Sequence, residues 1–93
     1  MKIDFTKITV PVSFDGTHQT FNIAKEVGND MMYNGTVISD IGFEKLAEEI
    51  YFSEKEVDIP PQYVRPFLQV IAQGGYLATI KRYLAKVLNA EQQ

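Results

Sequence analysis

Few side chains in this sequence have the types and the spacing that catalysis requires. His18 is the single histidine, and it follows a predicted hairpin turn. An imidazole that acts as a general base needs a nucleophile and an orienting carboxylate, and the sequence around His18 identifies no such set. The chain has no cysteine, which removes thiolate nucleophiles, disulfides and cysteine zinc sites together. We therefore expect His18 to be a solvent-facing strand residue and the protein not to be an enzyme.

Carboxylates form the second group of candidate chemical residues. Asp40, Glu44, Glu48 and Glu49 lie near one face of a predicted helix. Such a face can chelate a divalent cation or supply a paired acid and base. The sequence contains no Asp-x-Asp-x-Asp-Gly loop, no Glu-x-x-His pair and no glycine-rich phosphate loop. We expect a solvated helix face, with no metal and no cofactor.

Basic residues near the end of the sequence raise the question of nucleic-acid binding. Lys81, Arg82 and Lys86 lie on a predicted helix that starts Tyr-Leu-Ala-Thr, whereas a DNA-reading helix places Arg, Asn or Gln near its start. Three cations neutralise few phosphates, and the chain has a net charge of -3. The prediction places them in the later half of the helix, where positive charge complements the helix dipole. We expect a packing helix and keep a nucleic-acid-binding regulator as the alternative.

The same helix has a wide apolar face. Its apolar stripe, at helical spacing, consists of Leu77, Ile80, Leu84 and Leu88. In a domain this small, more apolar helix surface than one core can use favours self-association. The residues that we predict for contact with a second copy are Tyr76, Ile80, Tyr83 and Val87. The alternative, that this helix packs only on its own chain, stays open.

The sequence pattern around these residues predicts an α+β fold with an N-terminal hairpin. Apolar residues alternate with polar ones from Ile8 to Phe14, which is the period of a half-buried strand. Asp15-Gly16 predicts a two-residue type I′ turn, and residues 17–23 form the returning strand. Pro11 has no N–H to donate, so we expect its strand to lie at an edge. A short third strand near 55–59 is predicted to join the hairpin.

Helical periodicity predicts about four helices packed against the hairpin, at 23–33, 41–52, 61–73 and 76–89. Asn22 is the cap candidate for the first helix, and Ser39 and Asp40 are those for the second. Asn34-Gly35 is a turn signal, and Gly74-Gly75 separates the last two helices. The group Met31-Met32-Tyr33 is expected to fill the core, although methionines also line binding surfaces. The predicted order is β-β-α-α-β-α-α.

Composition and charge bound the class of protein. A chain of 93 residues with eleven aromatics is expected to form one compact domain spanning residues 1–93. Its charge is uneven: residues 1–59 carry an excess of Asp and Glu, and residues 60–93 an excess of Lys and Arg. That polarity either orients a partner or reflects solvated faces. The sequence shows neither a signal-peptide core nor a membrane span, and we expect a cytoplasmic protein.

Four segments of the chain carry a resemblance to known proteins: "MKIDFTKI", "AKEVGNDMMYN", "DIGFEKLAEEIYFSEKEVDI" and "IKRYL". They resemble small uncharacterised proteins encoded in prophages and related mobile elements of bacteria. The resemblance spans most of the chain and rests on structural segments, so it implies a setting and no catalytic residues.

The sequence leads to one hypothesis and one alternative. The hypothesis is a non-enzymatic interaction or assembly module, an accessory protein of a mobile element that self-associates or binds a protein partner. The alternative is a nucleic-acid-binding regulator that uses the C-terminal helix pair, with Lys81, Arg82 and Lys86 on phosphates. Neither implies a small-molecule substrate or a membrane.

Overall fold

A computed structural model describes residues 2–34 and 40–91 of the chain. The strands are β1 (Lys2–Ile3), β2 (Ile8–Pro11), β3 (His18–Phe21) and β4 (Val57–Asp58). The helices are α1 (Ala24–Asn29), α2 (Ile41–Tyr51), α3 (Val64–Gln73) and α4 (Ala78–Glu91). A π-helical turn, Asp30–Asn34, continues α1, and a 3₁₀ turn, Pro61–Tyr63, precedes α3. The predicted α+β class is confirmed, with one strand, β1, that was not predicted.

The predicted hairpin is formed by β2 and β3, which pair antiparallel with Ile8 opposite Phe21. Its turn differs from the prediction, because a type I′ turn needs positive φ at two residues and only Gly16, with φ 92°, has it. The chain instead makes a four-residue loop. Gly16 N–H donates to the carbonyl of Ser13 (3.3 Å), and Val12 N–H donates to that of Thr17 (2.9 Å). A loop built around a type I turn requires positive φ only at its last residue, which here is Gly16.

Pro11 fits this ladder without loss of a hydrogen bond between the strands. Because Val12 and Thr17 form a hydrogen-bonded pair, the neighbouring Pro11–His18 pair is a non-hydrogen-bonded one. The proline nitrogen therefore points to the outer edge of β2, away from β3. The two strands form a two-stranded sheet, so the predicted edge position of Pro11 is confirmed.

The predicted third strand exists as β4, but its pairing was predicted wrongly. β4 pairs antiparallel with β1, with Ile3 opposite Val57, and this two-stranded sheet is separate from the hairpin. The partner strand Lys2–Ile3 has only two residues, which is too short for any alternation to show in the sequence.

Helices α1 and α2 pack closely through a glycine. A Cβ atom at Gly28 would lie 2.6 Å from the Cβ of Tyr51 and 2.8 Å from the carbonyl oxygen of Ala47. The absence of a side chain at Gly28 therefore sets the distance between the two helices. The predicted cap Asp40 is confirmed, since its Oδ1 accepts from the N–H of Phe43 (3.1 Å). The cap candidate Asn22 is wrong by one residue: the N-cap of α1 is Ile23, which forms no side-chain cap hydrogen bond, and Asn22 Oδ1 accepts from the N–H of Ala24 (3.2 Å). Ser39 and Gly35 lie outside the described residues.

One hydrophobic core joins these elements. Helix α4 packs against α3 and against β2, and the rings of Phe5 and Phe67 contact each other with centroids 5.7 Å apart. The largest fully buried side chains are Phe5, Phe43, Phe67, Ile8, Ile50, Ile59, Ile71, Leu84 and Leu88. Within residues 2–34 and 40–91, none of the helices has the length and apolar character needed to cross a membrane.

Candidate functional site

The four residues predicted for self-association do not form one exposed surface. Ile80 lies in the core with 2% of its surface exposed. Tyr76 and Val87 are half-buried and pack against the same core. Tyr83, at 38% exposure, is the most accessible of the four. The apolar stripe of α4 is thus largely buried against the rest of the same chain, and self-association through these four residues stays a prediction.

Tyr76 is held by a specific contact. Its hydroxyl donates a hydrogen bond to the carboxylate of Asp30, at the start of the π-helical turn. Burial, together with this hydrogen bond, raises the pKa of Tyr76 above its ordinary value. Its ring covers Gly74, where an added Cβ atom would collide with the ring. Tyr76 therefore links the connection between α3 and α4 to the π-helical turn through a hydrogen bond.

The basic residues of α4 also lie differently from the prediction. Because α4 begins at Ala78, Lys81 and Arg82 are in the first half of the helix, so the expectation that all three cations complement its C-terminal dipole is wrong. Lys81 Nζ instead donates to the carbonyl of Ala72 (3.0 Å), in the last turn of α3. Arg82 and Lys86 are exposed. Nucleic-acid binding by these residues stays a prediction.

An apolar groove lies between the hairpin and the start of α4. Its volume is about 920 Å³, and we call it the hairpin groove. Its lining residues are Pro11, Val12, Ser13, Phe14, Gln19, Phe21, Leu77, Ala78, Thr79 and Arg82. Arg82 is the one charged side chain among these described lining residues. The groove thus combines a mainly apolar wall with a single cation.

The apolar side of the hairpin continues past the part that is buried in the core, and the start of α4 lies beside this uncovered part. Ile8 and Val10 are buried in the core, but the next alternate residue, Val12, is 41% exposed and Phe14 is fully exposed. Leu77, predicted to face the core, is 49% exposed. It precedes the first residue of α4, so the helical spacing that predicted its burial does not apply there.

The turn that carries Phe14 is ordered by Asp15. The Asp15 carboxylate accepts hydrogen bonds from the N–H of Thr17 (2.9 Å) and from its hydroxyl. These bonds, led by that of the hydroxyl, lower the pKa of the Asp15 carboxyl below its usual value. His18, exposed as predicted, turns back toward the same loop, and its Nδ1 lies 2.8 Å from the carbonyl oxygen of Gly16. Phe14 is therefore presented to solvent on a turn with its own hydrogen bonds.

A second partly apolar surface lies where the π-helical turn meets α2. This cleft, of about 360 Å³, is lined by Gly28, Asn29, Met32, Tyr33, Glu44, Ala47, Glu48, Tyr51 and Phe52. Glu44 and Glu48 are its charged lining residues, and we call it the acidic cleft. The expectation that Met31-Met32-Tyr33 fills the core holds only for Met31, which is buried, whereas Met32 and Tyr33 are exposed. Successive residues of a helical turn point in different directions, so three in a row do not share one buried face.

Two sequence signals point to these surfaces and were not used in the prediction. Phe14 directly precedes the turn dipeptide Asp15-Gly16, and a loop tip has no layer to cover a phenyl ring. Leu77 stands between Gly74-Gly75 and the helix, and connections of this kind run over the surface. In the described part of the chain, no three His, Cys, Asp or Glu side chains are grouped to hold a metal ion.

Comparisons with protein-family models, with curated proteins and with solved structures found no match to this chain. The resemblance to prophage-encoded proteins therefore stays a prediction.

Proposed function

We propose that this protein is a non-enzymatic interaction module that binds a second copy of itself, and that the hairpin groove forms one side of the contact. The observation that carries the proposal is Phe14, a fully exposed phenyl ring at the end of an apolar groove. The sequence-based setting, an accessory protein in the cytoplasm of a bacterium, is part of this proposal.

Burial of the groove supplies the free energy of the contact. Covering a large apolar side chain contributes about 1.5–3 kcal/mol, and Val12, Phe14 and Leu77 all leave apolar surface in water. Aromatic residues, Phe among them, are enriched in the buried centre of protein interfaces. The hydrogen bonds of Asp15 hold the loop before binding, which lowers the ordering cost of association.

The chemistry of the groove supports binding more than catalysis. Ser13 and Thr79 are the hydroxyl-bearing residues in its lining. A hydroxyl becomes a nucleophile when a neighbouring base removes its proton. The described lining contains no carboxylate and no imidazole to do so.

Light scattering behind a sizing column tests the proposal. The unmodified protein should exceed the mass of one chain, 10.6 kDa, at high micromolar concentration, and Phe14→Ser should elute as a monomer. Because Phe14 is fully exposed, the substitution should leave unchanged the thermal unfolding midpoint measured at a dilution at which both proteins are monomeric.

Tyr83→Ser is the matched control, since Tyr83 is exposed on α4 outside the groove lining. It should associate as the unmodified protein does. A strictly monomeric unmodified protein would overturn the proposal. Loss of association in Tyr83→Ser but not in Phe14→Ser would move the contact to the surface of α4.

A further inference from the structure

We infer that the contact between copies is heterologous: the hairpin groove of one copy binds the acidic cleft of another, with Phe14 inserted into that cleft. The inference rests on the proposed self-association and adds its geometry. In this arrangement Arg82 of one copy faces Glu44 and Glu48 of the next.

The charges of the two surfaces favour this pairing over a contact between two identical grooves. Arg82 is the charged residue in the described lining of the groove, and Glu44 and Glu48 are those of the cleft. Two grooves facing each other would leave Arg82 without an acidic partner, because the described lining of the groove contains no carboxylate. A groove against a cleft brings opposite charges together.

Lys25 is a cation close to one wall of the cleft. It lies outside the cleft lining, with Nζ 5.8 Å from the ring centroid of Tyr51. That position places it over an aromatic face, where a cation is attracted to the ring. The lining of the cleft itself remains acidic.

The cleft also has room for the side chain that the inference places in it. An apolar cavity of about 150 Å³ accommodates benzene, so the cleft of about 360 Å³ has room for the phenyl ring of Phe14. Tyr51 and Phe52 meet edge to face in its wall, with centroids 4.8 Å apart. A third ring can join such a pair in the same geometry. Met32 adds a flexible side chain that adapts to an inserted group.

A heterologous contact differs from a self-complementary one in how it responds to substitution. Each copy contributes a groove to one contact and a cleft to another. A change in either surface breaks every contact between identical chains. Two different variants can still bind each other through the groove of one and the cleft of the other.

Mixing two variants therefore tests the inference. Phe14→Ser alters the groove and Phe52→Ala alters the cleft; each alone should be monomeric, with self-association weakened at least tenfold. An equal mixture should form a 1:1 complex, detected by light scattering and by native mass spectrometry, which separates the two chains by mass. Ile41→Ser, an exposed position outside both linings, is the control and should associate normally.

A charge exchange gives an independent readout. Arg82→Glu and Glu48→Arg should each weaken self-association about tenfold, and the mixture of the two should regain it. The association of the unmodified protein should weaken as salt is added.

The outcomes separate this inference from the proposed function. If Phe14→Ser is monomeric but Phe52→Ala associates normally, the groove meets another surface and the inference fails while the function stands. If both variants are monomeric and their mixture is too, the heterologous contact is also wrong. A monomeric unmodified protein overturns both. Thermal unfolding of every variant shows that loss of association is not loss of the fold.

Discussion

At the scale of single residues, Tyr76 illustrates how a side chain predicted for an interface serves the fold. Its hydroxyl donates to Asp30, 46 positions earlier in the chain, and its ring covers Gly74. The separation explains why the sequence did not reveal the contact: helical spacing reports which residues share a face, not which distant carboxylate a tyrosine reaches. For the same reason, helical spacing did not predict the hydrogen bond of 2.8 Å that the hydroxyl of Tyr63 donates to Asp40.

We predict that Tyr76→Phe destabilises the protein by about 0.5–1.5 kcal/mol at neutral pH, because it removes one hydrogen bond. The substitution also changes the response to alkali. The pKa of Tyr76 is raised in the folded state, so its stabilisation is present below the unfolded pKa of about 10 and is lost as pH rises toward the folded value.

Urea unfolding at a series of pH values measures both effects. Above about pH 10, the free energy of unfolding should fall less steeply in Tyr76→Phe than in the unmodified protein. Tyr83→Phe removes a hydroxyl from a more exposed ring and should change neither quantity. Equal slopes for Tyr76→Phe and the unmodified protein would contradict the assigned role.

At the scale of elements, the helix boundaries were predictable where a cap and a clear period coincide. Helix α2 starts at the predicted residue, because Asp40 caps it, and ends one residue before the predicted end, because its buried stripe is continuous up to there. Helix α4 starts two residues later than predicted, since Tyr76 and Leu77 belong to the connection. The hairpin strands are shorter than predicted, because the alternation of apolar residues continues into the turn. The hairpin and the start of α4 both border the hairpin groove, so the boundaries that were predicted wrongly lie at the candidate site.

Gly28→Ala tests the contact between α1 and α2. Helix propensity alone favours alanine by about 1 kcal/mol, but the added Cβ would lie 2.6 Å from the Cβ of Tyr51 and 2.8 Å from a backbone oxygen. We expect the collision to dominate and to lower the free energy of unfolding by about 1–3 kcal/mol. Gly75→Ala is the control: nothing lies within 4 Å of the added atom, and it should raise stability by about 0.4–1 kcal/mol. Stabilisation by both substitutions would show that the helices can separate freely.

At the scale of the whole molecule, the division of the strands into two sheets is the feature that the sequence could not show. The hairpin joins neighbouring residues, whereas β1 and β4 come from distant parts of the chain. Closing so long a loop is entropically expensive and gains little from two residues of pairing. The hydrophobic core must therefore bring β1 and β4 together, and only the folded chain reveals the pair.

The difference in sequence separation between the two sheets predicts that an isoleucine-to-valine substitution changes the folding and unfolding rates differently in each sheet. Ile3 and Ile8 are both buried, and isoleucine to valine costs about 0.5–1.5 kcal/mol at either site. Ile3→Val should mainly speed unfolding, because contacts of distant residues form late, whereas Ile8→Val should also slow folding. Stopped-flow refolding and unfolding in urea measure both rates. Equal slowing of folding by the two variants would contradict this order.

Pro11 has a consequence for how copies of this chain can meet. Its nitrogen faces the outer edge of β2 and carries no hydrogen, so another strand that docks at this edge finds its ladder interrupted. Amyloid-like fibrils grow when backbone hydrogen bonds continue from chain to chain. Pro11 opposes this kind of growth at the edge of β2, next to the groove proposed for binding. It thereby favours reversible assembly through side chains over assembly through backbone hydrogen bonds.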